Sequence, residues 1–309
     1  MKFCLKTLLL VVILFGIDRL IGTAFESMKD VGLEKNPADE NYTAYYAIEK
    51  VNTDVVVIGS SRAAHHYVPS ILEKELKMSV YNCGQDACFF MYQNCVINMM
   101  LERYIPKIII WDIQPGSFIG TLDREFLNVR LLTPYYYENE FAKKYVDCES
   151  SRMPYRMVCR MYAYNSKLHN YLLPIFMHTD ASKKGYYPLP VKGYKYPKMR
   201  IEKDKGEQTI NERMMTLFET TIKKCKQNGV KLFVFVSPSF SSETDCVKQV
   251  VKELEMIAEQ NNTSFGNYMS DETFISNPKL FKDASHMNDN GARIFTDIIA
   301  KRILYDFSK

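Results

Sequence analysis

A chain of 309 residues, 47% hydrophobic and 25% charged, has room for one large domain or two small ones. This composition excludes wholesale disorder, collagen-like repeats and coiled coils. Forty basic against 36 acidic residues leave a formal charge of +4, too even to argue for a nucleic-acid partner, and eight cysteines are too sparse for a disulfide scaffold.

Lys2 and Lys6 precede an apolar run, Leu8 to Ile17, followed by Asp18, Arg19 and a second apolar patch, Leu20 to Phe25. A basic tip before a short apolar stretch is a signal-sequence pattern. The stretch from Leu5 to Phe25 has 21 residues, enough to span a bilayer, with Asp18 and Arg19 at the far interface. The expectation is an uncleaved signal-anchor over 1–25 that leaves the remainder membrane-anchored and extracytoplasmic. A cleaved signal, with Gly22 and Ala24 near the cleavage point, and a buried N-terminal helix are the alternatives. Export would place seven cysteines in an oxidising space, an odd number, and no C-x-x-C pair suggests a thiolate metal site.

Residues 26–50 are polar, lack clear periodicity and read as a stalk. Asp54 to Gly59 is a β-branched run stopped by glycine, the pattern of a buried parallel strand. A short helix over Pro69–Lys77, a strand over Met78–Cys83, helical spacing over 87–103 and a third strand over Lys107–Ile113 follow. A fourth strand is expected at Lys231–Ser237, a helix over 243–260, a weaker fifth strand over Ser264–Met269 and a closing amphipathic helix over Asn290–Phe307. Strands alternating with helices predict a three-layer α/β/α sandwich, a parallel flavodoxin-like sheet of about five strands. An insert over 115–206 interrupts it. The insert holds 16 of the 40 aromatic residues and 16 basic against 9 acidic residues, so all of the basic excess lies there. Its spacing suggests helices near 138–149 and 151–171, then a loop rich in Pro, Tyr and Gly.

Three short segments carry chemistry. Gly59-Ser60-Ser61-Arg62 ends the first strand, so a serine hydroxyl stands at the carboxyl edge of the sheet beside helix N–H groups. Taken alone it is also ordinary turn chemistry. Asn82-Cys83-Gly84 ends the second strand, where glycine permits close approach of backbone. Far along the chain, Asp283 lies three residues before His286, the spacing at which a carboxylate can hold one ring nitrogen while the other serves as a base. His65 and His66 follow the serine turn, and His169 and His178 lie in the insert.

Together these segments resemble the SGNH (GDSL-like) hydrolase family over 54–113 and 229–306. The resemblance implies Ser61 as nucleophile, with Ser60 in the place of the aspartate of GDSL. It implies His286 as base and Asp283 as its orienter. The Ser61 and Gly84 amides would be oxyanion donors. Where the family carries Gly-x-Asn-Asp after strand three, this chain has Trp111-Asp112-Ile113-Gln114-Pro115-Gly116, which leaves Gln114 as the substitute donor. Such departures are similar to the membrane-anchored acyl-transfer branch of the family.

The resulting expectation is an exported serine esterase or O-acyltransferase acting on acyl esters, acetyl foremost, of a cell-surface glycan. It needs no cofactor and no metal. Its partners would be the membrane, an acylated glycan or acyl donor, and a membrane-bound acyl-transfer protein. The insert is expected to cap the site, with Lys192, Lys195 and Lys198 toward acidic groups. The alternatives are a non-catalytic scaffold or binding protein on the same fold, and a lipid or thioester hydrolase. No G-x-G-x-x-G or Walker pattern points to a nucleotide.

Overall fold

The computed structural model describes residues 2–37, 40–165, 171, 184–191, 196–202 and 209–307. In chain order its helices and strands are α1 (Lys2–Glu34), α2 (Glu40–Tyr45), β1 (Val55–Gly59), α3 (Ser61–His66), α4 (Pro69–Leu76), β2 (Val80–Asn82), α5 (Phe90–Arg103) and β3 (Ile108–Asp112). Then come α6 (Glu140–Asp147), α7 (Met153–Arg156), α8 (Glu212–Gln227), β4 (Lys231–Val236), α9 (Asp245–Gln260), β5 (Ser264–Asn267), α10 (Glu272–Ile275) and α11 (Asp289–Phe307). The chain divides into two compact units, one formed by Met1–Tyr45 with Asn128–Ala181, the other by Tyr46–Leu127 with Ser182–Lys309.

The larger unit is the parallel sheet expected from the sequence, with strand order β2-β1-β3-β4-β5. The order reverses between β1 and β3, which run side by side from Val55 opposite Ile108 to Gly59 opposite Asp112. In such a sheet the crevice at the carboxyl ends of those two strands is where ligands sit. The β1, β3 and β4 strands are apolar on both faces because helices cover both. On one face Val55, Val57, Ile108, Ile110, Phe233 and Phe235 pack against Leu72 and Leu76 of α4 and Phe295, Ile299 and Ile303 of α11. On the other, Trp111 stacks on Phe90 of α5 with ring centroids 5.3 Å apart, and its indole N–H donates to Gln93 at 2.8 Å. Each such fully buried side chain contributes roughly 1.5–3 kcal/mol.

The α8 helix is an element the sequence reading did not anticipate. Its signal is nonetheless present. Asn211 caps it by accepting from the Met214 N–H, and Met214, Met215, Phe218, Ile222 and Cys225 repeat at helical spacing on its buried face.

In the smaller unit the expected stalk is helical for much of its length, since α1 runs on to Glu34 and α2 follows. Phe3 to Phe15 and Leu20 of α1 leave large apolar side chains exposed, with Phe3 at 81% and Leu20 at 74%. The helix is long and apolar enough to cross a membrane. From Asp18 onward α1 is docked on protein. The Asp18 carboxylate accepts the backbone N–H groups of Arg160 (2.8 Å) and Met161 (3.0 Å) and the Cys159 thiol, and Arg19 donates to the Val158 carbonyl. Those contacts explain why the long helix expected over 151–171 is broken. The amides that would have continued it are taken by Asp18, and only α7 and a 3-10 turn over Arg160–Tyr164 form before 165. The expected 138–149 helix is realised as α6, capped by Asn139, which accepts from the Phe141 and Ala142 N–H groups. The insert is likewise divided, as 128–181 cluster with the N-terminal helices whereas 115–127 and the described residues from 184 onward belong to the sheet unit. His169, His178, Lys192 and Lys195 lie outside the described residues, and Lys198 is exposed.

Candidate active site

The α3 helix starts immediately after β1, so Ser61 occupies its first turn. Ser60 precedes the helix in extended backbone with its side chain buried, and its hydroxyl accepts from the Gln114 amide rather than capping the helix. Ser61 Oγ lies 2.8 Å from His286 Nε2. His286 Nδ1 lies 3.0 Å from both carboxylate oxygens of Asp283. With Nδ1–H donating to Asp283, Nε2 is the acceptor for the Ser61 hydroxyl proton. Residues 225 positions apart are thus joined in one line.

The loop carrying His286 is fixed at both ends. Asp283 Oδ1 also accepts the N–H groups of Ser285 (2.7 Å) and His286 (3.0 Å), which closes a tight turn around the carboxylate. Burial pushes the Asp283 carboxyl upward, but these bonds and the facing imidazole outweigh it and hold the group below its ordinary range. Beyond the loop, Asn288 accepts from the Asn290 and Gly291 N–H groups and donates to the Lys279 carbonyl, anchoring the start of α11. From the other side, the fully buried His66 accepts the Met287 N–H on Nε2 at 2.9 Å. Burial, with His286, Arg62 and His65 nearby, drives His66 well below the ordinary histidine range, so it is a neutral strut behind His286. Neither Asn288 nor His66 was assigned a role from the sequence. Both lie within five residues of a triad member, and that proximity is the signal that could have raised them.

A second histidine flanks the line. His65 sits edge-on to His286 with ring centroids 5.5 Å apart. Its Nδ1–H donates to the Tyr187 carbonyl at 2.7 Å and its Nε2 faces Asp86 at 3.5 Å. Burial lowers the His65 pKa, but Asp86 and the Tyr187 carbonyl outweigh it and the net direction is upward. The same contact lowers Asp86.

The expected oxyanion donors divide. The Gly84 N–H donates to Asn82 Oδ1 at 2.9 Å, and so is not directed at the serine. Glycine is required there for another reason, because a Cβ would lie 2.3 Å from the Ala64 nitrogen. Gly84 lets the β2 end close against α3, and Asn82 locks that packing by donating to the Ala63 and Tyr67 carbonyls at 2.7 and 2.9 Å. Gln114 spends an amide hydrogen on Ser60. The Ser61 amide, at the start of a helix, has no acceptor among the described residues and remains as a donor, beside the second hydrogen of the Gln114 amide.

Behind the serine lies a buried polar cluster. Asp112 ends β3 and accepts from Ser237 twice, N–H at 3.1 Å and hydroxyl at 2.9 Å. Burial pushes its carboxyl up to about 7, against the pull of Arg62 and Ser237. A cavity of about 590 Å³ opens beside this cluster, bordered by Arg62 and Ser285, each one residue from a member of the Ser61–His286–Asp283 line, and by Gln114, which is bonded to Ser60.

No family model and no curated protein matches the chain. Among solved structures it is similar to the psychrotrophic esterase EstA from Pseudoalteromonas sp., at 11% identity and a TM-score of 0.45 over 83% of this chain and 100% of that one. It is also similar to a lipolytic protein of the G-D-S-L family from Desulfitobacterium hafniense DCB-2, at 11% identity and a TM-score of 0.45 over 81% and 99%. An acetyl xylan esterase, AlAXEase, gives 11% identity and a TM-score of 0.41 over 81% and 99%. At these values the likenesses assign no residue a role in this chain.

Proposed function

We propose that the chain is a membrane-anchored serine esterase or O-acyltransferase of SGNH type that works through Ser61, His286 and Asp283. The observation that carries the reading is the unbroken line from Ser61 Oγ through the His286 ring to the Asp283 carboxylate. Ser61 Oγ attacks the acyl carbon as its proton passes to His286 Nε2, and Asp283 stabilises the imidazolium. The Ser61 amide receives the oxyanion. Collapse expels the alcohol, which takes the proton from His286. Water, or a sugar hydroxyl in a transferase, then repeats the sequence on the acyl-enzyme. The substrate class proposed is an acyl ester of a cell-surface glycan, with a membrane-bound acyl-transfer protein as donor in the transferase case.

The membrane part of the proposal rests on the exposed apolar half of α1. With Asp18 docked on protein, the stretch from Phe3 to Ile17 is left for the bilayer, about 22 Å at 1.5 Å per residue. That is shorter than a typical hydrocarbon core. Lys2 at one end would snorkel, and Leu20, Tyr155 and Val158, all exposed near the Asp18 junction, are side chains suited to the other interface. The body of the chain would lie outside the cytoplasm.

One observation favours the non-catalytic alternative. Of the three expected oxyanion donors, the Gly84 N–H is engaged within the protein and the Gln114 amide gives one of its two hydrogens to Ser60. Labelling with a fluorophosphonate and hydrolysis of 4-nitrophenyl acetate separate the readings. Labelling and turnover that both vanish in Ser61→Ala support the esterase. A wild-type protein that is folded, unlabelled and inactive on that ester supports the scaffold.

A further inference from the structure

We propose that the cavity lined by Arg62, the residue after Ser61, is a binding site for an anionic group, a carboxylate or phosphate carried by the substrate. The inference deepens the esterase reading and rests on it for the identity of the substrate. Three arginines line the cavity: Arg62, Arg124 and Arg200.

Arg62 directly follows the nucleophile. Its Nε is buried without a partner, and the hydrogen bond it makes is a long one from Nη1 to the Ser237 carbonyl at 3.3 Å. A guanidinium has five donors, and leaving even the buried Nε–H unmet is costly. Arg124 lies over the Phe89 ring, 4.8 Å from its centroid, and forms no ion pair among the described residues. Arg200 is oriented on the cavity wall by Glu202, with Nε 2.5 Å from its carboxylate, and by an Nη1 hydrogen bond to Ser285 at 3.2 Å.

The carboxylates nearby do not cancel this charge. Glu202 is committed to Arg200. Glu125 is buried and committed to the Met91 N–H at 2.8 Å, and burial pushes its carboxyl up to about 7. Asp112 lies behind Arg62, is tied to Ser237 and is raised to a similar value by burial. Three guanidinium groups therefore leave the cavity electropositive, and Arg62 and Ser285 join it in sequence to Ser61 and His286. A planar fork of N–H donors matches a carboxylate or phosphate in a bidentate pair, which a neutral sugar or alkyl chain does not supply. The site also places anion recognition in the sheet unit, on side chains distinct from the insert lysines.

The test compares wild type with Arg124→Gln, and with Arg62→Lys, which keeps the charge and removes the fork. Three esters are used at low ionic strength. They are neutral 4-nitrophenyl acetate, 4-nitrophenyl hemisuccinate with its anion on the acyl side, and 4-acetoxybenzoate with its anion on the alcohol side. The expected result is a KM increase for one anionic ester at least 10-fold larger than that for the acetate. The ester that responds tells which side of the scissile bond the cavity receives. Equal changes on neutral and anionic esters overturn the proposal. If wild type turns over none of the three, the esterase reading falls and calorimetric titration of succinate and inorganic phosphate decides the cavity instead. Binding that weakens at least 10-fold in Arg124→Gln then supports the site, and binding that is absent or indifferent to the substitution overturns it.

Discussion

Two histidine–aspartate pairs stand within one ring's width of each other, one on the loop before α11 and one between α3 and the loop after β2. In the first, Asp283 occupies Nδ1 of His286 and Nε2 is left for Ser61. In the second, both nitrogens of His65 are used, Nδ1 by the Tyr187 carbonyl and Nε2 by Asp86. The residue types are the same and the surroundings similar, yet only the first pair has a basic nitrogen to spare. A general base is defined by the lone pair its neighbours leave free, and a histidine whose partners take both nitrogens is a strut or a charge.

The largest test of this contrast removes the members of the open pair. Ser61→Ala and His286→Ala are expected to lower turnover of an activated ester roughly 10³- to 10⁶-fold, with the double mutant no worse than either single. Steady-state kinetics on protein with unchanged far-ultraviolet circular dichroism check this. Additive losses would mean that the two residues do not act as a unit. Asp283→Asn keeps the ring but spoils its tautomer, and a loss of about 10²- to 10⁴-fold is expected.

Gly84→Ala probes the packing that holds the closed pair. Its Cβ would meet the Ala64 nitrogen at 2.3 Å, one residue before His65, and no flexible side chain is there to yield. A loss of about 2–3 kcal/mol in chemical denaturation is expected. An unaltered denaturation midpoint would show that α3 can shift freely.

The smallest effect belongs to Asp86→Asn. The folded pKa of His65 is raised, so its contribution is fully present below the unfolded value near 6.5 and is lost as pH rises through the folded value. The folded pKa of Asp86 is lowered, so its contribution holds above about 3.9 and fades as pH falls through the folded value. The pair therefore acts between these limits. Asp86 is largely exposed and screened by water, so a Tm decrease of only about 1–3 °C is expected near pH 5–6. It should vanish by pH 9, as scanning calorimetry across pH would reveal. Turnover should change by less than about 3-fold. A loss comparable to that of Asp283→Asn would make the second pair part of the chemistry.

Much of the sheet unit was legible in advance because its signals are local. Val55–Ile58, Ile108–Trp111 and Leu232–Val236 are apolar runs that only a doubly covered parallel strand accommodates. The Asp283–His286 contact is equally local, since three residues of loop suffice to bring carboxylate to ring. The smaller unit was read less well. Periodicity over 151–171 favoured one helix, whereas a carboxylate some 140 residues earlier takes the amides that helix needed. The family resemblance implies Gly84 as an oxyanion donor, and the sequence has no means of showing that what its missing side chain admits is the backbone of α3.

The chain by itself determined the succession of strands and helices around the sheet, a serine at a strand-to-helix turn, a carboxylate beside a histidine near the C-terminus and an apolar N-terminal helix. These follow from side-chain size, branching and spacing along a continuous backbone. Tertiary structure alone decided that His65 spends both ring nitrogens whereas His286 keeps Nε2 for Ser61, that Gly84 and one Gln114 hydrogen are spent inside the protein, and that three arginines distant in sequence face one cavity. Hydrogen bonds and charges act over a few ångströms in space. Which groups compete for one lone pair or one N–H is settled only when the sheet brings the ends of β1, β2 and β3 together.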